Sequence, residues 1–312
     1  MTAAVDPDDK PTGSLASRIQ ATADRQKVAN REKKKQELLL NSQLTLWVEA
    51  VRGVPNELLR TALFSARNRK TPRRNLRSAN LAVIGDGEII FTGQELRQDD
   101  ETVWLQLMHL ARENGLASKF EFTPHSFCKS IGWPTTGQSY DRLDECMIRL
   151  QATSLRIRSK RLGDAISMSM LPVFTSNRKR ASEDFARPWI AGLHSDLVLL
   201  FSDFQYTRID WQRRLELPEG LATWLHAYYA SHRDPFPVRV ETLWLGSGLA
   251  DDADVTPPQD EAPEARKDRL QRQRNFVKTL KVALESLCKI GFLVSFEIQK
   301  GLVSVKRAPV QF

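Results

Sequence analysis

The stretch that decides the fold is ARKDRLQRQRNFVKTLKVALESLCKIGFLVSFEIQKGLVSVK, residues 265–306. Apolar residues recur at helical spacing in its first part, and this pattern predicts a long helix from about residue 265 to residue 290. Beyond that helix, apolar and polar residues alternate on both sides of Gln299-Lys300-Gly301, which predicts two strands joined by a turn. A long helix followed by a two-stranded hairpin is the second half of a winged helix-turn-helix domain, in which the hairpin is the wing.

Shorter helical patterns precede this stretch, and together they give the order helix, short helix, long helix, hairpin. The two shorter helices are predicted over residues 221–231 and 240–245. The same order occurs earlier in the chain, with helices predicted over 101–112, 125–131 and 138–153 and a hairpin over 155–174. The sequence therefore predicts an α+β protein with two tandem winged helix-turn-helix domains.

The chain begins with a polar, basic segment that differs from the rest. Residues 1 to about 36 contain few large apolar side chains, so we expect a tail that is disordered or marginally helical. We divide the chain into a flexible basic tail (1–52), a first winged-helix domain (53–205) and a second winged-helix domain (206–312). An acidic, proline-containing stretch over 247–264 predicts a surface loop inside the second domain.

The composition excludes several classes of protein. Lys and Arg number 46 against 38 Asp and Glu, a net charge of +8 that favours a polyanionic partner. The sequence contains no apolar run of about 18 residues, the length that a membrane span needs. The polar start of the chain does not resemble a signal peptide. The three cysteines form no C-x-x-C pair. We therefore expect a cytoplasmic protein without a disulfide framework.

We predict that four segments contact DNA, and basic residues cluster in three of them. The first is an arm over residues 67–77, which Pro72 keeps from becoming helical, and the second is the front of the long C-terminal helix. The third is the first wing with the loop after it, and the fourth is the start of the helix over 138–153. The predicted DNA-binding residues are, in that order, Arg67, Arg69, Lys70, Arg73 and Arg74; Arg266, Lys267, Arg269, Arg272, Gln273, Arg274, Asn275 and Lys278; Arg156, Arg158, Lys160, Arg178, Lys179 and Arg180; and Gln138, Ser139 and Arg142.

Five side chains of the long C-terminal helix are suited to base recognition. Arg can bond guanine, and Gln or Asn can bond adenine. We therefore predict that the bases are read by Arg269, Arg272, Gln273, Asn275 and Lys278. A solvated loop is the alternative interpretation of the arm, and a charged surface helix without a ligand is the alternative for the C-terminal helix.

The sequence shows no set of residues that would make an enzyme. His125, Cys128 and Cys146 could approach one metal ion, but no fourth ligand follows at zinc-finger spacing. Neither a phosphate-binding loop nor a dinucleotide-binding glycine motif occurs. We therefore expect no catalysis, no cofactor, no metal and no ATP hydrolysis.

Several motifs in the chain carry a resemblance to one family. They are PNELLRTALFSARNRK (55–70), FTGQEL (91–96), CKSIGW (128–133), RLQAT (149–153) and SHRDPFP (231–237). These motifs, together with the final winged hairpin, resemble the TrfA family of plasmid replication initiators over about residues 43–307. The resemblance implies two winged-helix domains that bind direct repeats, called iterons, in the double-stranded DNA of a plasmid origin.

The same resemblance implies a set of partners. It implies melting of an A·T-rich segment beside the repeats, contact with the resulting single-stranded DNA, and recruitment of the host initiator DnaA and the replicative helicase. It also implies a switch between inactive dimers and DNA-binding monomers. No membrane partner is implied.

One short peptide suggests a further partner. Gln43-Leu44-Thr45-Leu46-Trp47 resembles the Gln-Leu-x-Leu-aromatic peptide with which such initiators bind the bacterial sliding clamp, with Trp where Phe is usual. Gln43, Leu44, Leu46 and Trp47 are the predicted contacts. The first turn of an amphipathic helix is the alternative interpretation of this peptide.

Two other functions remain open on the sequence alone. A transcriptional regulator with two winged helices would use the same basic segments on an inverted operator. A clamp-binding adaptor would use the peptide first and DNA second. The motifs favour a plasmid replication initiator over both.

Overall fold

The computed structural model describes residues 15–42, 50–114, 119–159, 165–176, 188–194, 196–201 and 206–309. The chain forms two compact units, residues 1–45 and 46–312, and each is described by itself. In the first unit, residues Leu15–Ser42 form helix α1. Of the two expectations for the tail, disordered or marginally helical, the structure shows a helix over this range. Its Ala, Leu, Lys, Arg, Gln and Glu residues favour a helix, and it contains neither Gly nor Pro.

The second unit is a mixed α and β structure. Its first part contains β1 (Val51–Pro55), α2 (Asn56–Leu59), β2 (Phe64–Ser65), β3 (Asn75–Leu81), β4 (Glu88–Gln94), β5 (Leu96–Arg97), α3 (Gln98–Glu113), β6 (Phe120–Phe122), α4 (Pro124–Ser130), α5 (Gly137–Gln151), β7 (Ser154–Arg158), β8 (Ile166–Met168), β9 (Val173–Thr175) and β10 (Trp189–Gly192). Its second part contains α6 (Leu197–Leu200), β11 (Tyr206–Asp210), α7 (Trp211–Glu216), α8 (Leu221–Ala230), β12 (Val238–Arg239), α9 (Val240–Gly246), α10 (Asp252–Val255), α11 (Pro263–Lys289), β13 (Leu293–Gln299) and β14 (Leu302–Arg307).

The first predicted group of three helices is present as α3, α4 and α5. Local capping explains where the last two begin. Thr123 precedes α4 and its hydroxyl accepts the N–H of Ser126, and Pro124 occupies the first turn. Thr136 caps α5 in the same way through the N–H of Ser139. Strands β3, β4, β7 and β8 follow one another in an antiparallel sheet.

The second strand of the hairpin predicted over 155–174, residues 165–174, is wrong in its second half. Strand β8 ends at Met168, and β9 pairs with β10 in a different sheet. The N–H groups of Met170 and Leu171 donate to the side-chain oxygens of Thr153 and Ser169 and not to a neighbouring strand. Pro172 follows and has no N–H to donate, so the strand cannot continue here.

The second predicted group of elements is also present. Helices α8, α9 and α11 are followed by the hairpin β13–β14, and β12 adds a third strand next to β14. Lys300 and Gly301 form the predicted turn, with φ angles of 49° and 76°. Positive φ at both positions is what a tight two-residue hairpin turn requires. The core between these helices includes Trp224, Leu280 and Leu284.

One small sheet and one short helix connect the two groups of elements. Strand β1 pairs antiparallel with β11, so the start of the unit lies beside the segment that leads into α8. Helix α7 follows β11 directly. The predicted domain boundary at 205/206 falls at the start of this strand, and the division into two domains stays a prediction. Among the described residues, no helix is both long and apolar enough to span a lipid bilayer.

His226 is a buried polar side chain in α8. Among the described residues, neither of its ring nitrogens has a hydrogen-bond partner. Its ring packs edge-on against Phe292, with 4.5 Å between the ring centroids. Burial, reinforced by the positive charges of Arg214, Arg213 and Arg307, lowers the pKa of His226 to about 3. The folded chain therefore keeps His226 neutral, whereas an unfolded chain protonates a histidine near pH 6.5.

We expect acidification to destabilise the fold through His226, because below about pH 6.5 the unfolded chain binds a proton that the folded chain does not. Between pH 7 and pH 5 this side chain alone removes about 2 kcal/mol from the free energy of unfolding. Urea denaturation of the wild type and of His226→Leu at both pH values measures the effect. The variant is expected to lose about 2 kcal/mol less than the wild type; equal losses would show that His226 does not titrate on unfolding.

Candidate nucleic-acid interface

The front half of α11 leaves the core. The buried side chains of this helix are Phe276, Leu280, Ala283, Leu284 and Leu287, and all of them lie in its second half. Pro263 and the residues up to Asn275 therefore form about three and a half turns whose side chains the core does not cover. Helix α11 therefore has a buried back half and a front half that protrudes from the core.

One face of α11 carries a line of exposed polar side chains. With 3.6 residues per turn, it lies on the side opposite the buried residues. We call this line the basic strip, and its members are Lys267, Gln271, Arg274, Lys278 and Lys281. The strip extends over 14 residues, about 21 Å. It presents four cations and one amide to solvent.

Two of the predicted base-reading residues lie on the other side of α11. Arg269 donates two hydrogen bonds to the Glu261 carboxylate, Nε to Oε1 at 2.8 Å and Nη2 to Oε2 at 2.9 Å. Gln273 donates to Glu241 Oε1 at 2.8 Å. The structure therefore places Arg269 and Gln273 among protein partners, away from the exposed face that base recognition requires.

The remaining predicted residues of α11 are more accessible. The side chain of Arg272 is 55% exposed, although its Nε donates to Asp254 Oδ1 at 3.1 Å. Asn275 is exposed beside the basic strip, and Arg266 is exposed on the side of the helix that carries Arg269. The amide oxygen of Asn275 accepts a hydrogen bond from Gln271 at 3.0 Å, which orients the Gln271 side chain.

The predicted basic arm is fastened to the fold at three of its arginines. Arg73 Nη1 lies 2.6 Å from Asp100 Oδ2, its Nη2 lies 3.0 Å from Asp99, and its side chain is only 11% exposed. Arg73 is therefore an internal ion-pair partner and not a phosphate contact, which corrects the prediction. Arg67 donates to the Gly248 carbonyl, and Arg74 pairs with Glu95 and Asp251. Of the five arm residues predicted to contact DNA, Arg69 and Lys70 are exposed without such an anchor among the described residues.

The contacts predicted in the first group of helices also divide into side chains with protein partners and exposed side chains. The Arg142 guanidinium lies 3.8 Å above the Trp133 ring and pairs with Glu219 and Asp99, so it is not free to meet DNA. Ser139 belongs to the cap of α5, whereas Gln138 is exposed.

The predicted contacts on the first wing lie on the exposed face of β7. Arg156 and Arg158 both project from this face, and Arg158 pairs with Glu88. Several predicted contacts lie outside the described residues. They are Lys160, Arg178, Lys179 and Arg180, together with the peptide residues Gln43, Leu44, Leu46 and Trp47.

The side chains that could ligate a metal ion are not grouped as the sequence suggested. In the described part of the chain, Cys146 lies with Asp99 and Asp100, and the group does not include His125 or Cys128. Burial raises the pKa of the Cys146 thiol well above its usual value, and the two carboxylates add to this effect. Arginines bind both carboxylates of this group. The group is therefore an ion-paired part of the core.

Gln271 and Lys281 belong to the basic strip but were not among the predicted contacts. The signal that could have found them is the helical phase. The apolar residues at positions 280, 284 and 287 fix the buried side of α11, and 267, 271, 274, 278 and 281 then fall on the opposite side. Counting charges along the sequence does not separate the two sides.

Comparison with known proteins assigns the family. The model of the TrfA protein family matches residues 11–279. Because this match covers most of the sequence, the chain belongs to the TrfA family. A curated relative, the plasmid replication initiator protein TrfA of Escherichia coli, is 33% identical over 204 residues, or 65% of this chain. The aligned region is 52% of the relative, so the chain spans about half the length of that protein.

The fold is similar to that of two solved structures. A crystal structure of a selenomethionine derivative of domains 2 and 3 of RctB matches with a TM-score of 0.53 and 13% identity, covering 81% of this chain and 98% of that one. A second crystal structure of RctB domains 2–3 gives a TM-score of 0.50 and 14% identity, covering 79% and 95%. At these identities the similarity shows a shared fold only.

Proposed function

We propose that this protein is a plasmid replication initiator that binds direct repeats of origin DNA through two winged-helix domains. The observation that carries the proposal is the basic strip on α11, an exposed line of four cations and one amide on a helix half that leaves the core. An α-helix of this kind fits the major groove of B-DNA. Membership of the TrfA family supports the same function.

The order of elements supports the assignment of α11 as the recognition helix. Helices α8 and α9 precede it, the hairpin β13–β14 follows it, and β12 completes the small sheet. In a winged helix-turn-helix domain the third helix enters the groove and the wing lies beside it. Lys300, at the tip of the hairpin, is in the position of a wing contact to phosphate.

The residues divide into two roles. Gln271, Arg274 and Lys278 are central in the strip and are suited to base edges, because Gln bonds adenine and Arg or Lys bonds guanine. Lys267 and Lys281, at the ends of the strip, are suited to phosphates. The exposed arm residues Arg69 and Lys70 and the first-wing residues Arg156 and Arg158 supply further phosphate contacts.

The remaining steps of initiation follow from binding several copies side by side. Bending of the origin lowers the cost of opening flexible A·T steps. The energy for melting comes from binding and assembly, without catalysis by this chain. Recruitment of DnaA, the helicase and the sliding clamp, and exchange between dimers and DNA-binding monomers, complete the proposal.

Footprinting of the full chain on the plasmid origin tests this function. The expected result is protection of directly repeated sites next to an A·T-rich tract. Protection of an inverted operator at a promoter would instead indicate a transcriptional regulator. Absence of protection at any repeat would overturn the proposal.

The clamp-binding peptide is tested separately with Leu46→Ala/Trp47→Ala. Under the proposal, this variant keeps its origin footprint and loses capture by the sliding clamp. Loss of plasmid replication together with an unchanged clamp interaction would contradict the peptide's assignment.

A further inference from the structure

The acidic loop is attached to the front of α11. The sequence predicted a surface loop over 247–264, and the structure shows that two of its carboxylates bind arginines of α11. Glu261 binds Arg269 through both oxygens, and Asp254 binds Arg272. Both carboxylates are largely covered, with side-chain exposures of 13% for Glu261 and 10% for Asp254.

We infer that Asp254 and Glu261 form a brace that holds the front half of α11 in the orientation in which the basic strip meets DNA. This inference rests on the proposed function for its consequence, but the brace itself is a property of the free protein. Asp254 and Glu261 are positioning residues, because they bind the helix and not the nucleic acid.

The front half of α11 needs such support. None of its side chains is buried before Phe276, so the packing that stabilises most protein helices is missing there. Arg266, Arg269 and Arg272 follow one another at spacings of three, where like charges repel. Pairing two of these arginines with carboxylates removes most of that repulsion.

The loop is itself anchored, as a support must be. At its other end, Asp251 pairs with Arg74 at 2.9 Å, and the Gly248 carbonyl accepts a hydrogen bond from Arg67. Arg74 also binds Glu95, whose side chain is only 2% exposed. The segment therefore connects the front of α11 to residues fixed in the first group of elements.

The positions of the paired arginines on α11 distinguish a brace from an acidic segment that competes with DNA for the basic strip. A competitor would cover the cations that bind phosphate, and removing it would raise the affinity for DNA. Neither Arg269 nor Arg272, the two arginines that these carboxylates hold, belongs to the basic strip, so their release adds no cation to it. Loss of the brace is therefore expected to weaken DNA binding even though it makes the protein more positive.

The variant Asp254→Asn/Glu261→Gln tests the brace in the full chain, because it removes both charges and keeps the side-chain shapes. The matched control is Asp260→Asn/Asp234→Asn, which changes the net charge equally at two exposed positions outside α11. Two quantities are measured: hydrogen exchange of the backbone amides of residues 264–275 in the free protein, and affinity for duplex DNA that contains the repeats.

In the brace variant we expect exchange over residues 264–275 to rise about tenfold while exchange at Leu280 and Leu284 stays unchanged. We expect its affinity for the repeats to fall about tenfold, with little loss of affinity for unrelated DNA. The control is expected to change exchange less than about twofold and to bind at least as well as the wild type. In the charge-swapped variant Glu261→Arg/Arg269→Glu, which keeps Asp254, the two residues can still form an ion pair. This variant is expected to keep much of the protection from exchange that the brace variant loses.

Two results would overturn the inference. Unchanged exchange in the brace variant would show that the two carboxylates do not hold the helix. Affinity that rises in the brace variant would identify the acidic loop as a competitor of DNA. If the wild type and the control both fail to bind the repeats, the proposed function fails, and the exchange measurement still decides whether the brace exists.

Discussion

Reversing two charges at the centre of the basic strip is expected to abolish specific binding. For Arg274→Glu/Lys278→Glu we expect the affinity for the repeat DNA to fall at least 100-fold at about 0.15 M salt, since each base or phosphate contact contributes about 1–3 kcal/mol and the new carboxylates repel phosphate. Both side chains are exposed, and neither belongs to the buried residues of α11. The fold is therefore expected to remain intact.

Titration of labelled repeat DNA at several salt concentrations measures this loss. The matched control is Lys27→Glu/Lys33→Glu, which makes the same change of net charge at two exposed positions of α1 that belong to no proposed DNA contact. The control is expected to lose no more than about tenfold in affinity. Equal losses in the two variants would show that binding depends on total charge and not on the strip.

The sequence was sufficient to predict the order of the helices in the two groups and the final hairpin, because local patterns determine them. The helix predicted over 265–290 is α11 at Pro263–Lys289, and the turn at Lys300 and Gly301 is where it was expected. Thr123 followed by Pro124 fixed the start of α4. Capping residues, glycine turns and apolar periodicity act over a few residues, so they can be recognised without the fold.

Which cations reach the surface could not be predicted in the same way. Arg73 pairs with Asp100, 27 residues away, and Arg74 pairs with Asp251, 177 residues away. The sequence contains nothing that joins these positions before the chain is folded. Basic residues that are equivalent by composition therefore divide into internal partners, such as Arg73, and exposed ones, such as Lys70.

One buried arginine contributes to the joint between the two groups of elements. Arg214 of α7 is 1% exposed, and its Nη2 lies 3.2 Å from the Glu101 carboxylate of α3. Its guanidinium also donates to Gln98 and to the Thr223 carbonyl of α8. Burial raises the pKa of Glu101, and the charge of Arg214 opposes that rise. This contact fixes α7 and α8 against α3, and so it helps to set the distance between the two proposed DNA-binding domains.

Arg214→Met is expected to cost about 3–5 kcal/mol of unfolding free energy, because it leaves the Glu101 carboxylate buried without a cation. The double variant Arg214→Met/Glu101→Gln is expected to recover more than half of this loss, since no uncompensated charge then remains. Urea denaturation at pH 7 measures both values. A single-variant loss below about 1 kcal/mol would show that Glu101 is protonated or hydrated without Arg214 and that the ion pair is not what holds the joint. Retention of the footprint on one isolated repeat, with weaker protection of neighbouring repeats, would connect the rigidity of this joint to the assembly of several copies on the origin.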